Sequence, residues 1–203
     1  MLTLYKSLAP KLGLCFDFET SGSSWGKDSS IDYQALSLGM VVFDTRTFDI
    51  IDDLYIEMKF DASKYQWSAE AEAIHGLTRE YLEQYGLSNE DAVVAVAEFL
   101  LKYFGPNPTI MVMGHNVDYD LLFMRQLLEP HDMMFHVHNV KIDTAGVSFV
   151  NFITYKSDHL FELTGVGERD THNALADVYM TIGAAKFMRD LVESALLASE
   201  TND

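Results

Sequence analysis

Apolar positions early in the chain recur with period two. In Leu12 to Phe18, Leu14, Phe16 and Phe18 alternate with Gly13, Cys15 and Asp17, the pattern of a strand with one face in a core. Leu36 to Asp44 (LSLGMVVFD) and Phe48 to Lys59 (FDIIDDLYIEMK) read as a second and third strand. The turn Thr45–Arg46–Thr47 between them is short, which predicts an antiparallel meander. Ser23 to Tyr33 is a polar loop carrying Gly26. The apolar period then lengthens to that of a helix. Ser68 to Ile74 and Thr78 to Tyr85 are short helical segments, and Ser88 opens a longer one with Asp91 completing a capping-box variant. Val93, Val94, Ala97, Leu100, Leu101 and Phe104 form its expected core stripe, and Gly105–Pro106–Asn107–Pro108 stops it.

Thr109 to Met113 is a short buried strand. Tyr119 to Leu128 is a helix ended by Pro130, and Val140 to Asp143 is a fifth strand. Asn173 to about Leu197 is a long helix with Leu175, Val178, Ile182, Ala185, Met188 and Val192 along one side. Strands that come first as a meander and then alternate with helices predict an α/β fold with a mixed sheet.

Composition narrows the picture. The 203 residues, 48% of them hydrophobic, suffice for one domain with a real core. The single Cys15 permits neither an intrachain disulfide nor a thiolate metal site. Met1 to Ala9 lacks the pattern of a signal peptide, and no apolar run approaches the roughly 18 residues of a membrane span, so a soluble cytoplasmic protein is expected. The formal charge of −17 excludes a broad basic surface for gripping duplex DNA, but not an acidic site that recruits divalent cations at a strand end.

Three stretches carry candidate chemistry. GLCFDFETSG (13–22) ends a buried strand with Asp17 and Glu19, whose period-two spacing puts them on one face opposite Leu14, Phe16 and Phe18. Two ionised carboxylates there need a cation, donors or solvent. VMGHNVDYDLLF (112–123) runs from a strand into a helix whose first turn holds Asp118 and Asp120, near the positive end of its dipole. THNALADVYM (171–180) places His172 and Asp177 at the start of the last helix. If both were helical they would lie roughly 140° apart around the axis and could approach a common centre only from different directions. Taken alone, each stretch has a plain alternative: a solvated strand end, dipole-complementing acids, or a helix cap.

Together, in this order, DFETSG, GHNVDYD and HNALAD resemble the three exonuclease motifs of the DnaQ-like 3′→5′ exonucleases, in the DEDDh subgroup. AIHGLTREYL (73–82) is similar to a segment of the proofreading-subunit branch, and Lys141–Ile142–Asp143–Thr144 to the family's Asp-Thr after the fifth strand. The resemblance covers roughly residues 12–190 of a single exonuclease domain spanning 1–203, and it implies a ribonuclease-H-like fold with a five-stranded mixed sheet flanked by helices.

By that resemblance Asp17, Glu19, Asp120 and Asp177 hold two Mg²⁺ or Mn²⁺ ions, with Asp17 bridging, and His172 is the general base. Asp120 is the ligand of the middle motif because it follows Tyr119; Asp118 falls at a variable position. Thr20, Ser21 and Gly22 would meet the terminal 3′-OH, His75 and Leu77 the last base, and Asn116 the substrate beside the second motif. The implied activity is release of 5′-mononucleotides from the 3′ end of single-stranded DNA. RNA trimming and an inactive nucleic-acid-binding subunit are the alternatives, and a homodimer or a replication-protein partner is possible. Trp25, Trp67, Tyr119, Phe123 and Phe161 are stacking candidates, and Lys27, Lys156 and Arg169 are candidate phosphate contacts. His131, His136, His138 and Asp132 lack the partner spacing of a zinc site and read as a loop.

Overall fold

The computed structural model describes residues 10–24, 27–168 and 172–200. Trp25 and Arg169 lie outside them. β1 (Leu12–Thr20) pairs antiparallel with β2 (Ala35–Asp44) along one edge and parallel with β4 (Thr109–Gly114) along the other. β3 (Ile50–Glu57) completes the antiparallel meander, giving the order β3-β2-β1-β4-β5. The expected fifth strand, Val140–Asp143, is only the two-residue β6 (Ile142–Asp143), which pairs with the end of β4. β5 (His136–Val137), in a stretch read from the sequence as a loop, pairs with the start of β4. The gap between β5 and β6 is a local turn in which His138 Nδ1 accepts from Val140 N at 3.0 Å.

The parallel pairing of β1 with β4 needs a crossover, supplied by α1 (Ser29–Asp32), α2 (Ala69–His75), α3 (Arg79–Tyr85) and α4 (Asn89–Phe104) in the intervening chain. Ser68, Thr78 and Ser88 each cap the helix that follows with their side-chain oxygens. α5 (Val117–Leu128) follows β4, α6 (Thr144–Phe152) and α7 (Ser157–Thr164) follow β6, and α8 (Ala174–Glu200) closes the described chain. Sequence periodicity missed α6 and α7, which are short and interrupted by polar residues.

Both faces of the sheet are covered. Leu14, Phe16 and Phe18 pack with Val93, Val96, Leu121 and Phe123 from α4 and α5, whereas Cys15, Val41, Phe43 and Met113 pack with Val178, Ile182 and Ala185 of α8. Two sequence expectations need correction. The core stripe of α4 is Ala92, Val93, Val96, Phe99 and Leu100, while Val94 and Leu101 are 55% and 57% exposed, because apolar residues occupy more of that helix than the sheet can cover. Val192 of α8 is likewise exposed.

Gly39 of β2 stands opposite Asp17 of β1, and a Cβ there would fall 2.4 Å from Leu175 N of α8. The first turn of α8 therefore rests directly on strand backbone beside Asp17. Gly39→Ala should push that turn outward, lowering stability by about 1–3 kcal/mol and turnover by more than the loss of folded protein explains. Thermal unfolding with turnover normalised to folded protein checks this; normal turnover would show that the close approach does not set the site.

Candidate active site

The site begins where two strands part. Pairing of β1 with β4 ends at Cys15–Met113, while pairing with β2 continues to Thr20. The last residues of β1 thus have an edge that β4 does not reach, and backbone N–H groups there need other acceptors. Phe18 N donates to Asp120 Oδ1 at 3.1 Å. Asp120 can reach because β4 stops at Gly114 and the chain turns through Asn116, left-handed at φ 66°, into α5. Asn116 N donates to Asp143 Oδ1 at 3.0 Å, and the same oxygen accepts from Ala145 N at 2.9 Å, so one carboxylate clamps the starts of α5 and α6 together. The Asp-Thr pair noted in the sequence is this clamp: Thr144 Oγ1 lies 3.0 Å from His115 Nδ1, and Tyr155 O accepts from His115 Nε2 at 2.7 Å.

Asp120 is 3% exposed. Burial pushes its carboxyl well above the ordinary carboxylate range. The bond from Phe18 N and the Asp120 backbone oppose that rise, and the charges of Glu19 and Asp143 add to it. Asp118 is by contrast a solvent-side residue, paired with Lys141.

α8 supplies the third component. Asn173 caps it, its Oδ1 accepting from Ala176 N at 3.1 Å and its carbonyl from Asp177 N at 2.9 Å. His172 therefore lies outside the helix and is not its cap. Freed from helical spacing, its Nδ1 comes 3.6 Å from Asp177 Oδ2, so the 140° separation expected of two helical residues does not arise. His172 N donates to Ile74 O at 3.1 Å, tying this lead-in to the end of α2. Ligand atoms of Glu19, His172 and Asp177 all lie within 4.8 Å of one another.

Asp17, Glu19, Asp120, Asp177 and His172 line one cavity of about 140 Å³, walled otherwise by Phe18, His115, Tyr119, Ser157, Phe161 and Thr181. No Lys or Arg is among these lining residues. Four carboxylates and one imidazole around so small a space form a hard, oxygen-rich donor set that fits divalent cations. Tyr119 and Phe161, two of the stacking candidates, are on these walls. His115, Ser157 and Thr181 were not identified from sequence as site residues; His115 could have been, since it opens the middle motif.

The expected substrate residues are not on those walls. Ser21 is fully buried: its N–H donates to Gln34 O at 2.8 Å, and its hydroxyl donates to Gln66 O at 2.7 Å and accepts from Gln34 N at 2.9 Å. Thr20 Oγ1 donates to Gly22 O at 2.9 Å, and the Tyr33 ring crowds Gly22. His75 is buried, with Nδ1 accepting from Leu77 N at 3.0 Å. Its pKa is lowered by burial, against the raising effects of the Thr20 backbone and Glu72. Trp67 donates to Glu72 at 2.7 Å and carries Arg79 over its ring, and Phe123 is core. Among the described residues the His131, His136 and His138 stretch gathers no metal-ligand group; it is a turn followed by β5.

The sequence profile of the exonuclease (RNase T) family matches residues 14–185. The chain belongs to that family, within the DnaQ-like superfamily. Exodeoxyribonuclease I of Buchnera aphidicola subsp. Schizaphis graminum is 22% identical over 197 residues, which cover 87% of this chain and 39% of that protein. The crystal structure of E. coli exonuclease I with a dT13 oligonucleotide superposes with a TM-score of 0.70 at 19% identity, covering 89% of this chain and 41% of that one. A zinc-bound E. coli exonuclease I–ssDNA complex gives 0.69 at 20% identity, covering 90% and 41%. The ribonuclease-H-like fold is thus shared, and the chain spans about two fifths of the length of these relatives.

Asp120→Asn keeps an acceptor for Phe18 N while removing the charge. It should abolish most exonuclease-type turnover, whereas Asp118→Asn stays near wild type. Because the ionised form of Asp120 is the costly one, metal-free Asp120→Asn should melt above wild type at neutral pH. The gap should close on acidification, as the native carboxyl takes up its proton. Melting curves in EDTA at neutral and acidic pH check this; a lower melting point at neutral pH would contradict the electrostatic reading.

Proposed function

We infer that this chain is a metal-dependent 3′→5′ exonuclease of the DEDDh type, releasing 5′-mononucleotides from the 3′ end of single-stranded DNA. The observation that carries the reading is the convergence of Asp17, Glu19, Asp120, Asp177 and His172 on one cavity. Asp17, Glu19, Asp120 and Asp177 would hold two Mg²⁺ or Mn²⁺ ions. Bound there, such ions supply Lewis-acid stabilisation of the attacking and leaving oxygens at phosphorus.

The protein's own share is proton transfer and positioning. Asp177 beside Nδ1 of His172 orients the ring and favours a proton on that nitrogen, leaving Nε2 to accept the proton of the attacking water. The Ile74 carbonyl and the Asn173 cap fix the backbone on either side of the ring. Asp120 is held by Phe18 N, so one liganding oxygen is set by the strand that carries Asp17 and Glu19. The complete carboxylate set argues against an inactive binding subunit. The choice of DNA over RNA follows the exodeoxyribonuclease I relatives.

Matched single-stranded DNA and RNA of one sequence, incubated with Mg²⁺ or EDTA, test the reading. Mononucleotide release from the 3′ end should need the metal and be faster on DNA. RNA degraded faster would assign the trimming activity to RNA instead. His172→Ala should lower turnover about 10²–10⁴-fold with little change in metal affinity. Since Asn173 already caps α8, His172→Asn should be as slow as the alanine variant; near-wild-type turnover there would remove His172 from the chemistry.

A further inference from the structure

The segment from Thr144 to Tyr155 (TAGVSFVNFITY) contains no charged residue, in a chain where 22% of residues are charged and the net charge is −17. It is nevertheless largely a surface. Phe149 is 54% exposed, Val150 82%, Ile153 84% and Tyr155 64%. Phe149 and Ile153 are one helical turn apart at the end of α6.

The backbone beneath these side chains is firmly held. Ile153 N donates to Phe149 O at 3.0 Å, Ser148 Oγ to Thr154 O at 2.8 Å, and His115 Nε2 to Tyr155 O at 2.7 Å. Ile153 itself is left-handed, at φ 57° and ψ 33°. That conformation is unfavourable for a β-branched residue, so the surrounding bonds must impose it. The chain thus spends strain and three hydrogen bonds on presenting large apolar side chains to solvent.

Their position bears on the site. His115, which holds the Tyr155 carbonyl, lines the catalytic cavity, and so does Ser157, two residues beyond Tyr155. A strand entering this cavity brings one phosphate per nucleotide to a strongly acidic protein, and among the described residues that line the cavity none is Lys or Arg. Contacts to the bases are a source of affinity that the acidic surface does not oppose. Aromatic and apolar faces supply such affinity without regard to sequence. The absence of carboxylates from Thr144–Tyr155 spares the phosphates repulsion there, and the following residue, Lys156, is a cation.

We propose that Phe149, Ile153 and Tyr155 form a stacking platform for the bases upstream of the scissile nucleotide, where single-stranded DNA leaves the cavity. The proposal rests on the exonuclease reading above, and it assigns substrate grip to residues outside the three motifs that bear the carboxylates.

The test uses Phe149→Ser and Tyr155→Ser, both surface changes expected to leave the fold intact. Binding of 5′-labelled dT12 is followed by fluorescence anisotropy with Ca²⁺ in place of Mg²⁺, and hydrolysis of thymidine 5′-p-nitrophenyl phosphate with Mg²⁺. Each variant should bind dT12 about tenfold more weakly and hydrolyse the small substrate like wild type. A dT12 analogue with abasic upstream positions should bind wild type about as weakly as Tyr155→Ser binds dT12, with no further loss in the variant. The salt dependence of dT12 binding should be shallow.

Wild-type dT12 affinity in both variants would overturn the platform. So would an equal loss on the abasic analogue, or a change in self-association without a change in dT12 binding, which would assign the surface to a protein partner. If wild type binds dT12 through these residues yet hydrolyses neither DNA nor the small substrate, it is the exonuclease reading that fails and not the platform.

Discussion

β4 stops short of the end of β1, and the site depends on that mismatch. A strand that outruns its parallel neighbour leaves a notch floored by backbone and open to whatever the crossing helices deliver. Here Asp120 enters from α5 to accept the Phe18 N–H, and the start of α8 approaches over Gly39 on the other face of the sheet. Had β4 continued beside Phe18, that N–H would have had a strand partner and the first turn of α5 would lie farther on. The two carboxylates of β1 would then lack Asp120 beside them. The shortness of β6 belongs to the same arrangement: it pairs only with the last residues of β4 and hands the chain directly into the Asp143 clamp that holds α5 in place.

The arrangement is electrostatically unfavourable for the protein alone. Asp120 and Asp177 are 3% and 5% exposed and share a small cavity with Asp17 and Glu19. Bringing like charges out of water raises their energy unless protons or cations accompany them. The fold tolerates this because the large apolar cores on both sides of the sheet hold β1 and α8 where they are. The packed cores hold these carboxylates together in spite of their mutual repulsion.

Much of this was legible in the chain. Short apolar runs between turn signals, alternating in the first strand, located the first four strands to within a few residues. The motif carboxylates were legible through the ordered set of three motifs that resembles the exonuclease family, since each stretch alone had a plain alternative. Other features were hidden for physical reasons. α6 and α7 bury only a few residues each, so their periodicity is weak. Val94 and Leu101 matched the helical period of α4 but lie on the part of it that the sheet does not cover. The approach of His172 to Asp177 could not be read from spacing, because it depends on His172 lying before the helix, a boundary set by Asn173. The many bonds of Ser21 were invisible for a similar reason, since its partners Gln34 and Gln66 are distant in sequence.

The hydrogen bond from His172 N to the carbonyl of Ile74 joins the lead-in of α8 to the last turn of α2. That turn is followed directly by His75, Gly76 and Leu77, and α2 is itself fastened to the end of β1 through Ser68 N and Ser21 O at 2.7 Å. His172, the helix beside it and the strand bearing Asp17 and Glu19 are therefore links of one closed mechanical loop. A group pressing on any link displaces the others, so the lead-in of α8 and the end of β1 are coupled through the backbone. On the proposed exonuclease reading, an ill-fitting strand end would shift the His172 ring without touching it.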